Sequence, residues 1–181
     1  MKEPFKFFLI AGEPSGDLHG AKLIKAIKSL QPLSSFMGHG GYLMEKEGMK
    51  IVEHCNNLSV MGFKEVIVHL PRIWKIMNNT VALVKKVKPD RIILIDYPGF
   101  NLRFAKNISK FGIPISYFIL PQAWAWKSNR VKFVKKYFDQ SFSIFPFEQK
   151  WYRLKGVDTK YYGHPFIEID HLNDCLLYTS D

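Results

Sequence analysis

Asp96 closes the apolar run Ile92-Ile93-Leu94-Ile95 and is followed at once by Tyr97-Pro98-Gly99. Four apolar residues without alternation suit a strand buried on both faces of a parallel sheet. The Tyr-Pro-Gly turn then leaves a carboxylate at the carboxyl end of that strand, where open α/β sheets bind their ligands. Such a carboxylate can take the proton of an attacking hydroxyl if it lies within hydrogen-bond reach. It can equally do no more than cap the turn. An exposed Asp, with a pKa of about 4, is a weak base at neutral pH. Partial burial beside Tyr97 and Phe100 would raise it. Asn101 is placed to cap a helix that begins at Leu102.

A second turn, Gly12-Glu-Pro-Ser-Gly-Asp17, follows the apolar stretch Phe7–Ala11. It is neither G-x-G-x-x-G nor a P-loop. Glu13 and Asp17 would repel a phosphate, whereas a sugar hydroxyl can donate to them. Ser15 and Asp17 also suit the amino end of a helix, as cap and as countercharge; Glu13 has no such explanation. Gly38-His-Gly-Gly41 has the composition of another backbone-exposing turn. In Pro121-Gln-Ala-Trp-Ala-Trp126 two tryptophans sit two residues apart, so an extended chain puts both on one face. They form either a stacking wall for a sugar or acyl chain, or a hydrophobic lid. His164, before Pro165, stands alone, and a structural role is the commoner fate of such a histidine.

The elements that must hold these residues alternate. Strands are expected at 7–11, 36–37, 51–52, 92–95, 113–119, 140–145 and near Tyr161. Helices are expected at 18–30, briefly to Glu47, from Pro71 toward Lys86, at 101–110, 129–138 and up to about Lys155. The pattern is a Rossmann-like, doubly wound, mostly parallel α/β domain over residues 1–165. Residues 166–181 continue no strand–helix rhythm and are expected to be a tail foreign to the domain, or the end of a shortened chain.

Residues 58–79 are richer in apolar side chains than one narrow helical stripe requires, with Lys64, Arg72 and Lys75 interleaved. Either all of them pack inward, or some lie exposed beside the basic residues, as on a helix in a membrane interface. The 181 residues carry 26 basic and 16 acidic side chains, a formal charge of +10. That excess favours an anionic partner or a merely solvated basic surface. A hydrophobic fraction of 47% and an aromatic fraction of 15% exclude a disordered chain. Cys55 and Cys175 make no disulfide framework or zinc site, which fits a reducing compartment. Met1-Lys-Glu-Pro-Phe-Lys does not read as a signal peptide, and no apolar run approaches the ~18 residues of a membrane span. No nucleic-acid fold signature is present.

The motifs GEPSGD (12–17), GHGG (38–41), LSVMGFKEV (58–66), IDYPGFNLR (95–103), PQAWAWK (121–127), FPFE (145–148) and YGHP (162–165) resemble, in order and spacing, the lipid-A-disaccharide synthase family. The resemblance covers roughly residues 7–165. It implies the N-terminal, acceptor-side half of a GT-B glycosyltransferase of the lipid A pathway, peripheral on the cytoplasmic face of the inner membrane. The implied reaction joins UDP-2,3-diacylglucosamine to 2,3-diacylglucosamine 1-phosphate (lipid X), with inversion, giving a β-1′,6 disaccharide and UDP. It implies Asp96 as general base and Glu13, Ser15, Gly16 and Asp17 beside the active-site cleft. Gly40, Asn101, Gln122 and Trp124 then fall among the substrate-binding positions. Ile67, Leu70, Ile73 and Trp74 become the contact with an anionic membrane surface.

Gly99 stands where some members carry a second acid, which narrows the base in this loop to Asp96. The family's nucleotide site lies mainly on a second Rossmann-like domain, and no glycine-rich nucleotide turn follows position 165. The chain alone is therefore expected to be inactive. No cofactor and no metal are expected. The competing expectations are another UDP-sugar enzyme of this architecture, such as a 2-epimerase, and a non-catalytic basic module that binds anionic lipid.

Overall fold

The computed structural model describes residues 4–58, 63–125 and 128–165, with the backbone alone for 63–69. Seven parallel strands form one sheet in the order β3-β2-β1-β4-β5-β6-β7. They are β1 (Lys6–Ala11), β2 (Ser35–Gly40), β3 (Lys50–His54), β4 (Arg91–Ile95), β5 (Ile115–Phe118), β6 (Gln140–Ser143) and β7 (Thr159–Tyr161). The helices are α1 (Pro14–Leu30), α2 (Tyr42–Lys46), α3 (Phe63–Val87), α4 (Pro98–Ile108), α5 (Arg130–Tyr137) and α6 (Pro146–Arg153). The Rossmann-like reading thus holds, and every strand pair among the described residues is parallel.

Strand order reverses direction between β1 and β4. The chain first winds outward through β2 and β3, then returns to the other side of β1. Parallel crossovers are right-handed, so this reversal sends the helices to opposite faces. The side chains agree. Leu9, Ala11, Ile93 and Ile95 pack with Ala21 and Ile24 of α1 and Met44 of α2. Phe8, Ile10, Ile92 and Leu94 pack with residues of α3, α4, α5 and α6. The unalternating run of β4 is apolar because both of its faces are covered.

Several local expectations are corrected. GHGG is not a turn: Gly38, His39 and Gly40 lie within β2. Gly38 has φ +142°, beside a shift of register in the β2–β3 pairing, and a Cβ there would lie 1.9 Å from the Leu9 carbonyl oxygen. The glycine is needed because two backbones touch. α1 begins at Pro14 rather than Leu18, so Ser15 is inside the first turn and makes no cap hydrogen bond. α3 begins at Phe63, with Pro71 in its interior rather than at its start. α4 begins at Pro98, so Asn101 is a turn inside the helix and does not cap it.

His39 is fully buried between the rings of Phe8 and Phe100. Its Nε2 lies 2.8 Å from Thr80 Oγ1, and the Thr80 hydroxyl lies 2.7 Å from the Ile76 carbonyl. A threonine hydroxyl has one proton. If it goes to the carbonyl, His39 donates from Nε2, and its Nδ1 has no hydrogen-bond partner among the described residues. Burial pushes the imidazole down to about 4. The unfolded chain takes up this proton near pH 6.5, so the contribution is complete above that pH and is lost as pH falls from 6.5 toward 4. Urea unfolding should lose on the order of 3 kcal/mol across that window on this account. The His39→Leu variant should show a correspondingly shallower slope.

Candidate active site

The reversal between β1 and β4 opens a crevice at the carboxyl ends of those two strands, the place where such sheets bind ligands. Ala11 pairs with Ile95, so the two chains leave the sheet side by side. One leads to Gly12 and Glu13, the other to Asp96 and Tyr97. The Asp96 carboxyl senses the Glu13 charge. Burial raises the Asp96 carboxyl above its usual range first, and the Glu13 charge second. The Tyr97 backbone N–H and the Arg130 guanidinium act in the opposite sense.

The turn that presents Asp96 is strained. Asp96 and Tyr97 are both left-handed, with φ 45° and 46°. Two successive non-glycine residues in that region cost free energy and persist only where neighbours enforce them. The neighbours are identifiable. The Asp96 carbonyl accepts from Tyr117 Oη at 2.7 Å and from Asn101 Nδ2 at 2.7 Å. The Asp96 N–H donates to the Phe118 carbonyl at 3.0 Å. Tyr97 lays its ring over Gly12, where a Cβ would lie 2.3 Å from the ring, and donates from Oη to the Leu58 carbonyl at 2.8 Å. Asn101, itself fully buried, is thus the strut beneath the turn.

Asp17 does not support its own helix. Its carboxylate accepts from the N–H groups of Gly41 (2.8 Å), Leu43 (3.0 Å) and Met44 (3.0 Å), at the start of α2. Gly16 and Gly40 are buried packing positions, against Ala11 and Met44 respectively. Ser15 and Glu13 are exposed just after the carboxyl end of β1. Gln122 is exposed as well, and Trp124 is held edge-on to Phe147. Its indole N–H donates to Glu148 at 2.9 Å. The other Glu148 oxygen accepts from the N–H groups of Ile144 and Phe145, each at 3.2 Å. Tyr152 donates to the Pro121 carbonyl at 2.6 Å. The Trp124 loop is therefore a turn pinned to α6, not an extended chain. Trp126 and residues 166–181 lie outside the described residues, as does the Ile67 side chain.

Arg130, the first residue of α5, was not evident in the sequence. It is half-buried, and its charge acts on Asp96, Tyr117 and Tyr152 together. One basic residue among 26 gives no local signal; only the fold singles it out.

The family model described as lipid-A-disaccharide synthetase matches residues 7–174. The chain belongs to that family. Similar curated proteins include the lipid-A-disaccharide synthases of Myxococcus xanthus, 38% identical over 168 residues, and Coxiella burnetii, 42% identical over 157 residues. These alignments cover 93% and 87% of this chain but 44% and 42% of the relatives. The chain thus spans less than half the length of the curated relatives it matches. Among solved structures, UDP-GlcNAc 2-epimerase from Neisseria meningitidis bound to UDP-GlcNAc gives a TM-score of 0.62 at 10% identity, covering 88% of this chain and 46% of that one. An S. aureus MnaA–UDP complex gives 0.62 at 14% identity, covering 98% and 47%. At such identities the likeness concerns the GT-B, Rossmann-like fold alone, and the family match sets the epimerase expectation aside.

A charge held where its ionised form is disfavoured costs stability. The folded Asp96 carboxyl has a raised pKa, so its penalty is full above that pKa and vanishes as pH falls toward the ordinary value near 3.8. Asn also suits the left-handed backbone. Asp96→Asn should therefore stabilise the fold at pH 7, on the order of 1 kcal/mol. Urea unfolding at pH 7 and pH 4 should show the gain shrinking at the lower pH.

Proposed function

We propose that this chain is the acceptor-side half of a lipid-A-disaccharide synthase, with Asp96 as the general base. The observation that carries this reading is the Asp96–Glu13 pair at the strand reversal, on a strained turn that neighbouring hydrogen bonds enforce. In the proposed reaction the 6-hydroxyl of 2,3-diacylglucosamine 1-phosphate attacks the anomeric carbon of UDP-2,3-diacylglucosamine. The new C–O bond forms as the bond to the phosphate of UDP breaks, on the opposite face, and Asp96 takes the hydroxyl proton. Its raised pKa brings it closer to the operating pH, as an effective base requires. Glu13 both sustains that pKa and offers an acceptor to a sugar hydroxyl. Ser15 and Gln122 are exposed at the same end of the sheet, and the exposed Trp124 ring suits a sugar face.

Support for the leaving UDP is assigned to chain beyond this half, so the chain alone is expected to be inactive. Contact with an anionic membrane is assigned to the outer face of α3. There Trp74 is 55% exposed and lies between the exposed Arg72 and Lys75. No helix among the described residues is long and apolar enough to cross a membrane. A peripheral location on the cytoplasmic face is the corresponding proposal.

Transfer from UDP-2,3-diacylglucosamine to lipid X, assayed in the full-length protein, tests the base. Asp96→Asn should lower kcat by about 10²–10⁴. Unchanged turnover would remove Asp96 from the role. Acidification should cut kcat/KM through a midpoint above that of an ordinary carboxylate, and Glu13→Gln should move the midpoint down. Sedimentation with vesicles containing anionic lipid should be weakened by Trp74→Ser and by raised salt.

A further inference from the structure

The end of the sheet that carries Asp96 is divided by charge. After β1 and β4 stand two carboxylates, Glu13 and Asp96. After β5 stands Arg130, the first residue of α5. A helix that follows a parallel strand begins at the carboxyl edge of the sheet, so the fold delivers Arg130 to the same rim as Asp96. The next residue, Val131, and then Val134 are buried in the core that contains Tyr117 and Tyr152. Arg130 is half-buried beside them, whereas Lys132, Lys135 and Lys136 of the same helix are exposed. Its charge reaches the Asp96 carboxyl and the hydroxyls of Tyr117 and Tyr152. Both hydroxyls already donate, to the carbonyls of Asp96 and Pro121. Arg130 itself makes no ion pair and no side-chain hydrogen bond among the described residues.

A half-buried guanidinium has five N–H donors to satisfy, and leaving them unmet is costly. Asp96 is not its counter-ion. A carboxylate paired with arginine falls below its ordinary pKa, whereas burial and the Glu13 charge outweigh Arg130 and hold Asp96 above it. α5 adds to the demand: the amino end of a helix is itself positive, and no acidic side chain stands in its first turn. The missing partner is an anionic ligand. Phosphate suits, because a guanidinium can bind two of its oxygens at once. Glu13 and Asp96 repel such an anion from their own side of the rim. We propose that Arg130 binds the phosphate of the acceptor sugar and so sets which way round the sugar enters. With the phosphate held at α5, the other end of the ring, which bears the 6-hydroxyl, is turned toward Asp96. In an inverting displacement the leaving phosphate departs on the face opposite the base, so a cation beside the base meets the acceptor. The proposal rests on the acceptor-side reading above. It makes Arg130 a determinant of specificity, because an acceptor without phosphate is not oriented.

The test titrates the full chain with N-acetylglucosamine 1-phosphate, read by NMR at the backbone N–H signals that open α5. Saturable shifts are expected, and N-acetylglucosamine, without the phosphate, should bind about tenfold more weakly or worse. Arg130→Met should bring the two sugars to equal affinity, and Arg130→Lys should restore part of the difference. Arg130→Gln serves if Arg130→Met does not fold. Asp96→Asn should bind the sugar phosphate at least as tightly as the parent, because a repelling charge is gone. In the full-length protein Arg130→Met should raise KM for lipid X about tenfold or more and leave KM for UDP-2,3-diacylglucosamine unchanged. It should also move the acid midpoint of kcat/KM upward, since Arg130 opposes the rise at Asp96; a merely structural role would leave that midpoint in place. A full-length protein that binds the sugar phosphate through Arg130 but performs no transfer would overturn the reaction and keep the site. No saturable shift, equal affinity of the parent for both sugars, inorganic phosphate bound as tightly as the sugar phosphate, or a loss confined to the donor's KM would overturn the proposal.

Discussion

The turn after β4 can exist only because the carbonyl of Asp96 is gripped from two sides. A hydroxyl from β5 and an amide from the next turn of α4 converge on one oxygen, and the backbone is left-handed on either side of that peptide. Most of the surrounding sequence serves this arrangement. Tyr117 must be buried to reach the carbonyl, and its hydroxyl is correspondingly hard to ionise. Gly12 must lack a side chain so that the Tyr97 ring can cross it. Leu58 must supply a carbonyl to hold that ring from the far side. The carboxylate is thus fixed by main-chain geometry, with the Tyr97 backbone N–H acting on it as well. This is the kind of preorganisation that a base needs.

The motifs are joints of one rim. The GEPSGD turn is tied to the GHGG strand through Asp17, and the IDYPGFN turn to both GEPSGD and LSVMGF through Tyr97. PQAWAW is tied to FPFE through Trp124 and Glu148, and YGHP meets FPFE where the His164 ring lies tilted against Phe145. Each contact spans a gap in sequence and joins the carboxyl ends of different strands. A change in one motif is therefore felt at its neighbour, and side chains with no contact to substrate can alter the crevice.

The fold was legible where burial imposes a pattern. The run Ile92–Ile95 identified the central strand because both faces are covered, and alternation of elements with short loops led to the parallel sheet. Helix starts were read too late. Pro14 and Pro98 each sit in a first turn, and the capping residues sought further on, Ser15 and Asn101, are already inside. The glycines of GHGG resembled a loop because composition does not distinguish a turn from a strand that another backbone approaches closely. Asp96 was visible from its place at a strand end. The partners that fix it were not, because Tyr117 and Asn101 lie on separate elements. The packing of α3 was foreshadowed only as a surplus of apolar residues, which pattern alone cannot divide between a core and a membrane.

Pro71 divides α3 in a way that bears on cooperativity. Proline has no N–H, so the helix lacks the hydrogen bond that would join residue 71 to the carbonyl of residue 67. Beyond Pro71, Ile76, Met77, Thr80 and Val84 are buried against the sheet and the neighbouring helix. A helix position is normally spanned by several such bonds, and at Pro71 the first turns of α3 are joined to the rest by one fewer. The inner turns are tied to the domain by this burial, so Pro71 sits where the anchored part of the helix begins.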